Sequence, residues 1–242
     1  VTTRLQVPWP DKELFARRGG RAYRILAVAD EVDRSLESAT TRERLGHVDL
    51  VLGCGDLPVD YLQFVTDAVR APLAYVRGNH DVGGDWETGD AIGLHLPEPL
   101  MDGSPWTDGD VTVIGFNGVP KYGGRGLQVG SPTRWAHVLR AWMRLRWRSA
   151  GAPVLVISHV APRGINDGPD RFHRGSRALR WLAGQLHPPL WLHGHTTVLT
   201  RRLEDRAVNH ERTLFYNAVG AVLIDLVPPG QEAAPSVEQS AA

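Results

Sequence analysis

The sequence predicts a layered α/β domain. Short apolar strands alternate with segments of helical spacing, the strands are apolar on both faces, and five of them end on a residue able to bind or react. Residues 24–29 (RILAVA) form the first strand, followed at once by Asp30. Residues 48–54 (VDLVLGC) form the second, closed by Gly55 and Asp56. Residues 59–69 have helical spacing, and Pro72 then introduces a third strand, LAYVR, which runs into GNHD. Residues 111–116 are a fourth strand. Residues 132–149 are a helix in which Trp135, Val138, Leu139, Trp142 and Met143 share a face. A fifth strand covers 153–159, a helix 176–186, and a sixth strand the run PLWLHGH at 189–195. Three short runs, 199–203, 213–217 and 222–226, complete the domain.

The expected organisation is an N-terminal extension over 1–23, one domain over 24–227, and a disordered tail of proline, alanine and small polar residues over 228–242. The 242 residues are 42% apolar and 22% charged, ordinary for a soluble globular chain. Lys plus Arg equals Asp plus Glu at 27 each, so no overall field draws nucleic acid or an anionic membrane. No apolar run approaches the ~20 residues of a membrane span, and the first twenty residues lack the apolar segment of a secretory signal. A single cysteine, Cys54, excludes an internal disulfide and points to a reducing cytoplasm. The stretch 83–109, rich in glycine and proline, is long for a connection, and such loops tend to border a site.

Asp30, Asp56, Asn79, His159 and His195 each lie within about two residues of a strand end, where α/β sheets gather their ligand-binding groups. Two carboxylates, one amide and two imidazoles suit a divalent transition metal. The segments ADEVD, CGDLPVDY, RGNHD, ISHVAP and HGHTT resemble, in order and spacing, those of the calcineurin-like metallophosphoesterases, over roughly residues 24–226. The resemblance implies a four-layer α/β/β/α sandwich with a two-metal centre between its sheets, and hydrolysis of phosphate esters. It implies that Asp56 bridges two metals, that Asn79, His159 and His195 complete one of them (the second), and that Asp30 binds the first. His80 then contacts the leaving-group oxygen, with Asp81 orienting its ring.

Two departures fall on the same metal. The family has Asp-x-His where this chain has Val32, and Gly-His-x-His where it has Thr197. In extended backbone, residues two apart point the same way, so both are expected to face the site where two imidazoles would stand. Three outcomes are open. The first metal is absent; or it binds through Asp30, Asp56, water and substrate oxygens, favouring Mg²⁺ or Mn²⁺ over Zn²⁺; or Glu31, Asp33, His173 or His193 substitutes, with Glu31 and His193 out of phase.

The expected cofactor is one or two divalent ions per chain, Mn²⁺ first, with Fe, Zn²⁺, Co²⁺ and Mg²⁺ as alternatives. The expected reaction is in-line attack of metal-bound hydroxide on a small phosphomonoester or phosphodiester. In FNGVPKYGGRG, a segment like the family's Gly-rich cleft lining, Asn117, Tyr122 and Arg125 are candidate substrate contacts. So is His173 in RFHRGSRALRWL, beside a helix start at Gly175-Ser176 where free N–H groups attract anions or where Ser176 simply caps. The helix 134–149 carries five arginines and three tryptophans and reads as either an acidic-partner surface or an amphipathic helix with its Trp, Leu and Met face on a sheet. Competing functions are a catalytically weak metal-binding relative and a nuclease of the same fold.

Overall fold

A computed structural model of the chain describes residues 3–38, 40–88, 93, 95–146, 152–196 and 203–230. The first half contains β1 (Thr3–Pro8), α1 (Lys12–Arg17), β2 (Tyr23–Ala29), α2 (Thr41–Leu45), β3 (Leu50–Gly53), α3 (Val59–Val69), β4 (Leu73–Tyr75), α4 (Asp85–Thr88), β5 (Pro105–Thr107) and β6 (Thr112–Phe116). The second contains β7 (Val119–Pro120), β8 (Gln128–Val129), α5 (Ser131–Arg146), β9 (Val154–Ser158), α6 (Arg177–Leu186) and β10 (Leu190–His193). It closes with α7 (Leu203–Arg206), β11 (Ala207–His210), β12 (Thr213–Asn217) and β13 (Gly220–Val227).

Two large sheets form among the described residues, one ordered β1-β13-β2-β3-β4 and the other β11-β12-β10-β9-β6-β5, and β7 pairs with β8 in a separate two-stranded sheet. Strand alternation dictates how they stack. On β2, Ile25, Ala27 and Ala29 point into a core shared with Leu155, Ile157, Leu190 and Leu192 of the other sheet. Its alternate residues, Leu26 and Val28, pack outward with Leu62 and Val65 of α3. On β9 and β10, Val156 and Trp191 face outward toward Val138 of α5 and Leu179 of α6. The result is the α/β/β/α sandwich, with strands buried on both faces as their near-continuous apolar runs require. Each fully buried Leu or Ile contributes roughly 1.5–3 kcal/mol relative to exposure.

β2, β3 and β4 run parallel, as do β6, β9, β10 and β12. Their carboxyl ends therefore share rims, which is what delivers distant residues to one place. No helix among the described residues is long and apolar enough to cross a membrane.

Several elements differ from the sequence expectations. Residues 3–17 add an edge strand and a helix: β1 pairs parallel with β13, and Trp9, Leu14 and Phe15 are buried in the inter-sheet core. The expected strand at 199–203 has only Leu203 among the described residues, and it opens α7. On α5 the buried stripe is Arg134, Val138 and Ala141, while Leu139 and Met143 are exposed. The reason is that Trp135 and Trp142 both pack on Trp181 of α6, with ring centroids 5.8 and 5.9 Å away, which turns the helix toward α6. Arg134, expected to face water, is buried and pairs with Asp102 at 3.2 Å. Residues 147–149 of the expected helix lie outside the described set.

Candidate metal centre

Asp30, Asp56 and Asn79 leave the ends of β2, β3 and β4, and His159 and His195 leave β9 and β10. Three of these five adopt the left-handed region: φ is 58° at Asp30, 56° at Asp56 and 65° at His195. L residues rarely hold that conformation unless their surroundings impose it, and such strain gathers at functional sites.

Here the surroundings are visible. Both carboxylate oxygens of Asp30 accept the His195 N–H, at 2.9 and 3.0 Å, so one sheet's rim is tied to the other's. The Asp81 carboxylate accepts the N–H groups of Asp56 (2.8 Å) and Gly78 (2.7 Å). Asp56 Oδ1 in turn accepts the His80 N–H at 2.8 Å. Asn217, nearly fully buried, donates to the Thr196 carbonyl at 2.8 Å and steadies the turn after His195.

The two imidazoles are oriented from behind. His159, fully buried, has Nδ1 2.9 Å from the Cys54 carbonyl, and His195 has Nε2 2.8 Å from the Phe172 carbonyl. A carbonyl only accepts, so those nitrogens carry the protons. Nε2 of His159 and Nδ1 of His195 are left as lone-pair donors, the arrangement usual for metal-binding histidines. The His159 lone pair meets Asp56 Oδ2 at 3.3 Å and Asn79 Oδ1 at 3.1 Å. Asp56, His159 and His195 each offer a ligand atom within 4.8 Å of the others.

Three acceptors thus face one another with no proton between them unless His159 is charged. Burial opposes that charge, but the Asp56 hydrogen bond and the charges of Asp30 and Asp56 outweigh it and raise the His159 pKa to about 9. Burial likewise works to raise the Asp56 pKa, yet the His159 contacts and the His80 N–H hold it below the ordinary carboxylate range. For His195, burial and then the charge of His159 push the pKa down to about 4. Asp30 is pushed up to about 6, by burial against the pull of His159 and the His195 N–H. The cluster requires positive charge at one point, and a divalent cation with mixed oxygen and nitrogen ligands fits it.

The other candidates divide. His80 presents an exposed ring, its Nε2 4.0 Å from Asp56 Oδ2. The expectation that Asp81 orients that ring is corrected: its carboxylate holds the Asp56 and Gly78 backbone instead, and no hydrogen bond to the His80 ring occurs among the described residues. Asn117 is also corrected as a substrate contact. Its amide accepts the Arg77 N–H at 2.7 Å and donates to the Leu100 carbonyl at 2.8 Å, which pins the backbone leading to Asn79. Arg125 is exposed on the Gly-rich loop. Tyr122 packs edge-on against Phe172, centroids 5.2 Å apart. His173 stacks 5.2 Å from the His195 ring, and its Nδ1 lies 2.8 Å from Asp170. It therefore belongs beside the expected second-metal ligands.

On the first-metal side, the parity argument for Val32 fails because Asp30 is not extended. The Glu31 N–H folds back onto the Ala29 carbonyl at 2.6 Å. Val32 consequently borders a separate cleft with Thr3, Asp33, Arg206 and Val219. Asp33 caps a short turn through the Ser35 N–H at 3.0 Å, Glu31 is exposed, and His193 is buried on the helix-facing side of β10. Thr197 lies outside the described residues.

The Phe172 and Cys54 carbonyls carry no signal in the sequence, since any residue type can present a carbonyl, and Asn217 reaches the turn after His195 from β12, which only the fold brings alongside. Gly78 does carry one, inside RGNHD. A Cβ built there would stand 2.0 Å from Asp56 Oδ1. Gly78→Ala should therefore displace Asp56 and weaken Mn²⁺ binding by at least roughly tenfold while far-ultraviolet circular dichroism is retained. Unchanged affinity by isothermal titration would refute that account of the glycine.

Comparisons with known proteins bear on the fold and the family. The family model of the calcineurin-like phosphoesterases matches residues 18–199. TT1561 of Thermus thermophilus is similar in structure with a TM-score of 0.55 at 17% identity, covering 82% of this chain and 90% of that one. A further solved structure gives a TM-score of 0.59 at 14% identity, covering 84% and 95%. A predicted phosphoesterase from Streptococcus pneumoniae TIGR4 gives 0.35 at 17% identity, covering 87% and 78%, too distant a superposition to bear on the fold. No curated protein matches significantly. With its α/β/β/α layers, its acidic and imidazole cluster at the strand ends and a family match over most of its length, the chain belongs to the calcineurin-like phosphoesterase family.

Proposed function

We propose that the protein is a metal-dependent hydrolase of a small phosphomonoester or phosphodiester. The observation that carries this is that His159 Nε2 stands 3.3 Å from Asp56 Oδ2 and 3.1 Å from Asn79 Oδ1, one nitrogen and two oxygens that a cation can take together once it displaces the ring proton. Asp56, Asn79, His159 and His195 hold one cation firmly. Asp30, whose carboxylate is occupied by the His195 N–H, contributes at most to a weaker second ion. Mn²⁺ suits the mixed donor set best, with Fe, Co²⁺, Zn²⁺ and Mg²⁺ as alternatives. When bound, such an ion supplies a water acidified toward pKa ~7 and charge compensation for the phosphoryl oxygens.

The chain's own groups do the rest. His80, exposed at the mouth, is placed to give a proton to the departing oxygen. His173, held by Asp170, and Tyr122, braced by Phe172, border the space where the phosphoryl group lies. The substrate is a small molecule, without membrane or nucleic-acid partner, met in the cytoplasm.

The test is a panel of p-nitrophenyl phosphomonoesters and diesters with Mn²⁺, Mg²⁺, Co²⁺ or Zn²⁺. Metal-dependent turnover of at least one ester is the expected result; none with any ion would favour a binding protein instead. The pH dependence adds a second readout. The folded pKa of His159 lies above its ordinary value, so the metal-free cluster keeps a proton that the cation must displace. Mn²⁺ affinity should rise roughly tenfold per pH unit from about pH 7 to about pH 8.5, with close to one proton released per ion. A flat profile would exclude Nε2 of His159 as a ligand.

A further inference from the structure

Beside the cluster lies a second feature, a cleft of ≈ 320 Å³ bordered by Lys121, Arg134, Arg163, Arg174, Ser176 and Arg177, with no acidic residue in its lining. Two helices begin at it, α5 at Ser131 and α6 at Arg177. The first residues of α6, Arg177 and Ala178, line the cleft, and their N–H groups have no acceptor within the helix. Among the described residues the Ser176 hydroxyl takes only the Leu179 N–H, at 3.4 Å.

The cations are held there with little compensation. Among the described residues, neither Lys121 nor Arg177 has a carboxylate within ion-pair distance. Arg174 donates to the Pro169 carbonyl at 3.3 Å, and Arg163 reaches Asp167 only at 3.9 Å. Arg134 is 3% exposed and neutralised by Asp102, yet its buried Nε has no partner. Uncompensated like charges in one concave site repel. In a chain of zero net charge, that local excess is relieved by an anion, and the helix starts add their partial positive charge.

The cleft and the metal cluster are linked by short stretches of chain. Phe172, whose carbonyl holds His195, packs on Tyr122; Lys121 precedes Tyr122, and Arg174 follows the His173 that stacks on His195. From His173 to Ser176 is three residues, at most ~11 Å of extended chain.

We propose that this cleft is a second phosphate subsite, so that the substrate is a small phosphate ester bearing another phosphoryl group besides the one hydrolysed. The proposal rests on the hydrolase reading above. A free phosphate ion has the same chemistry as a substrate's second phosphate, and the test separates the two.

With Mn²⁺ present, phosphate release is measured from hexane-1,6-diyl bisphosphate and from hexyl phosphate. The bisphosphate should be preferred in kcat/KM by roughly tenfold or more. Arg174→Ala/Arg177→Ala should bring that ratio close to one, and Arg177→Lys alone should keep part of it. In a second arm, metal-free protein in EDTA is titrated with hexyl phosphate. Saturable binding should weaken roughly tenfold or more in the double variant. Lys121→Ala, an exposed change, repeats both arms if the double variant does not fold.

A wild-type ratio near one, with hydrolysis intact, overturns the substrate subsite and leaves the hydrolase. If that ratio is near one while metal-free binding still depends on Arg174 and Arg177, the cleft is a free-phosphate site. No hydrolysis of either ester, with that binding intact, removes the hydrolase reading and leaves an anion site. Equal binding in wild type and variants overturns the cleft as an anion site altogether.

Discussion

Asp56→Asn is expected to lower Mn²⁺-dependent hydrolysis by roughly 10³-fold and to strip most of the metal from the purified protein. Asp56 is the only carboxylate of the Asp56-His159-His195 triad. Asparagine has the same shape, and its amide oxygen can still accept the His80 N–H that Asp56 Oδ1 takes at 2.8 Å. The backbone is also held independently, by Asp81 on the Asp56 N–H. The change therefore removes the negative charge and one of the proposed metal ligands while leaving the turn in place. It also removes the main partner that sustains a proton on His159, so the metal-free variant should titrate that ring well below the wild-type value of about 9. Elemental analysis, turnover and a histidine titration by nuclear magnetic resonance measure the three consequences. Retention of full metal content would place the cation elsewhere and dismantle the centre described above.

The legibility of this chain follows from what each kind of residue has to do. The strand ends at Asp30, Asp56, Asn79, His159 and His195 are readable because fully buried parallel strands need apolar runs, and a polar residue ending such a run stands out. The helix at residues 59–69 is readable to the residue, since Pro58 and Arg70 bound a clean periodic stripe. Other features are not readable because their cause is tertiary. β1 forms only because β13 offers it an edge, and α5 is turned by the three tryptophans it shares with α6. Parity along a strand misplaces Val32 because it presumes extended backbone, whereas Asp30 takes φ = 58° under the hold of the His195 N–H. Asn117 and Asp81 look like site residues by type and position, and both are used on backbone N–H groups. They fix the loops that present Asn79 and Asp56. The basic cleft is legible only at Arg174 and the helix start. Lys121 reaches it from the Gly-rich segment and Arg163 from the turn after β9.

His80→Ala is the complementary case, because it should separate chemistry from metal binding. The His80 ring is 82% exposed and stands 4.0 Å from Asp56 Oδ2, whereas its backbone N–H is what Asp56 uses. Alanine keeps that N–H, so the Asp56 turn and the cation site should persist. What disappears is the ring proposed to give the proton, and general acid assistance is typically worth roughly 10²–10⁴-fold. The expected result is a fall in kcat within that span at unchanged metal content. The loss should shrink for esters with good leaving groups, since an oxygen that departs readily as its anion needs no proton. Comparing p-nitrophenyl phosphate with an alkyl phosphate measures this: His80→Ala should impair the alkyl ester far more. An equal loss on both esters, or a loss of metal that tracks the loss of turnover, would make His80 a structural part of the Asp56 turn and leave the departing oxygen without an assigned partner.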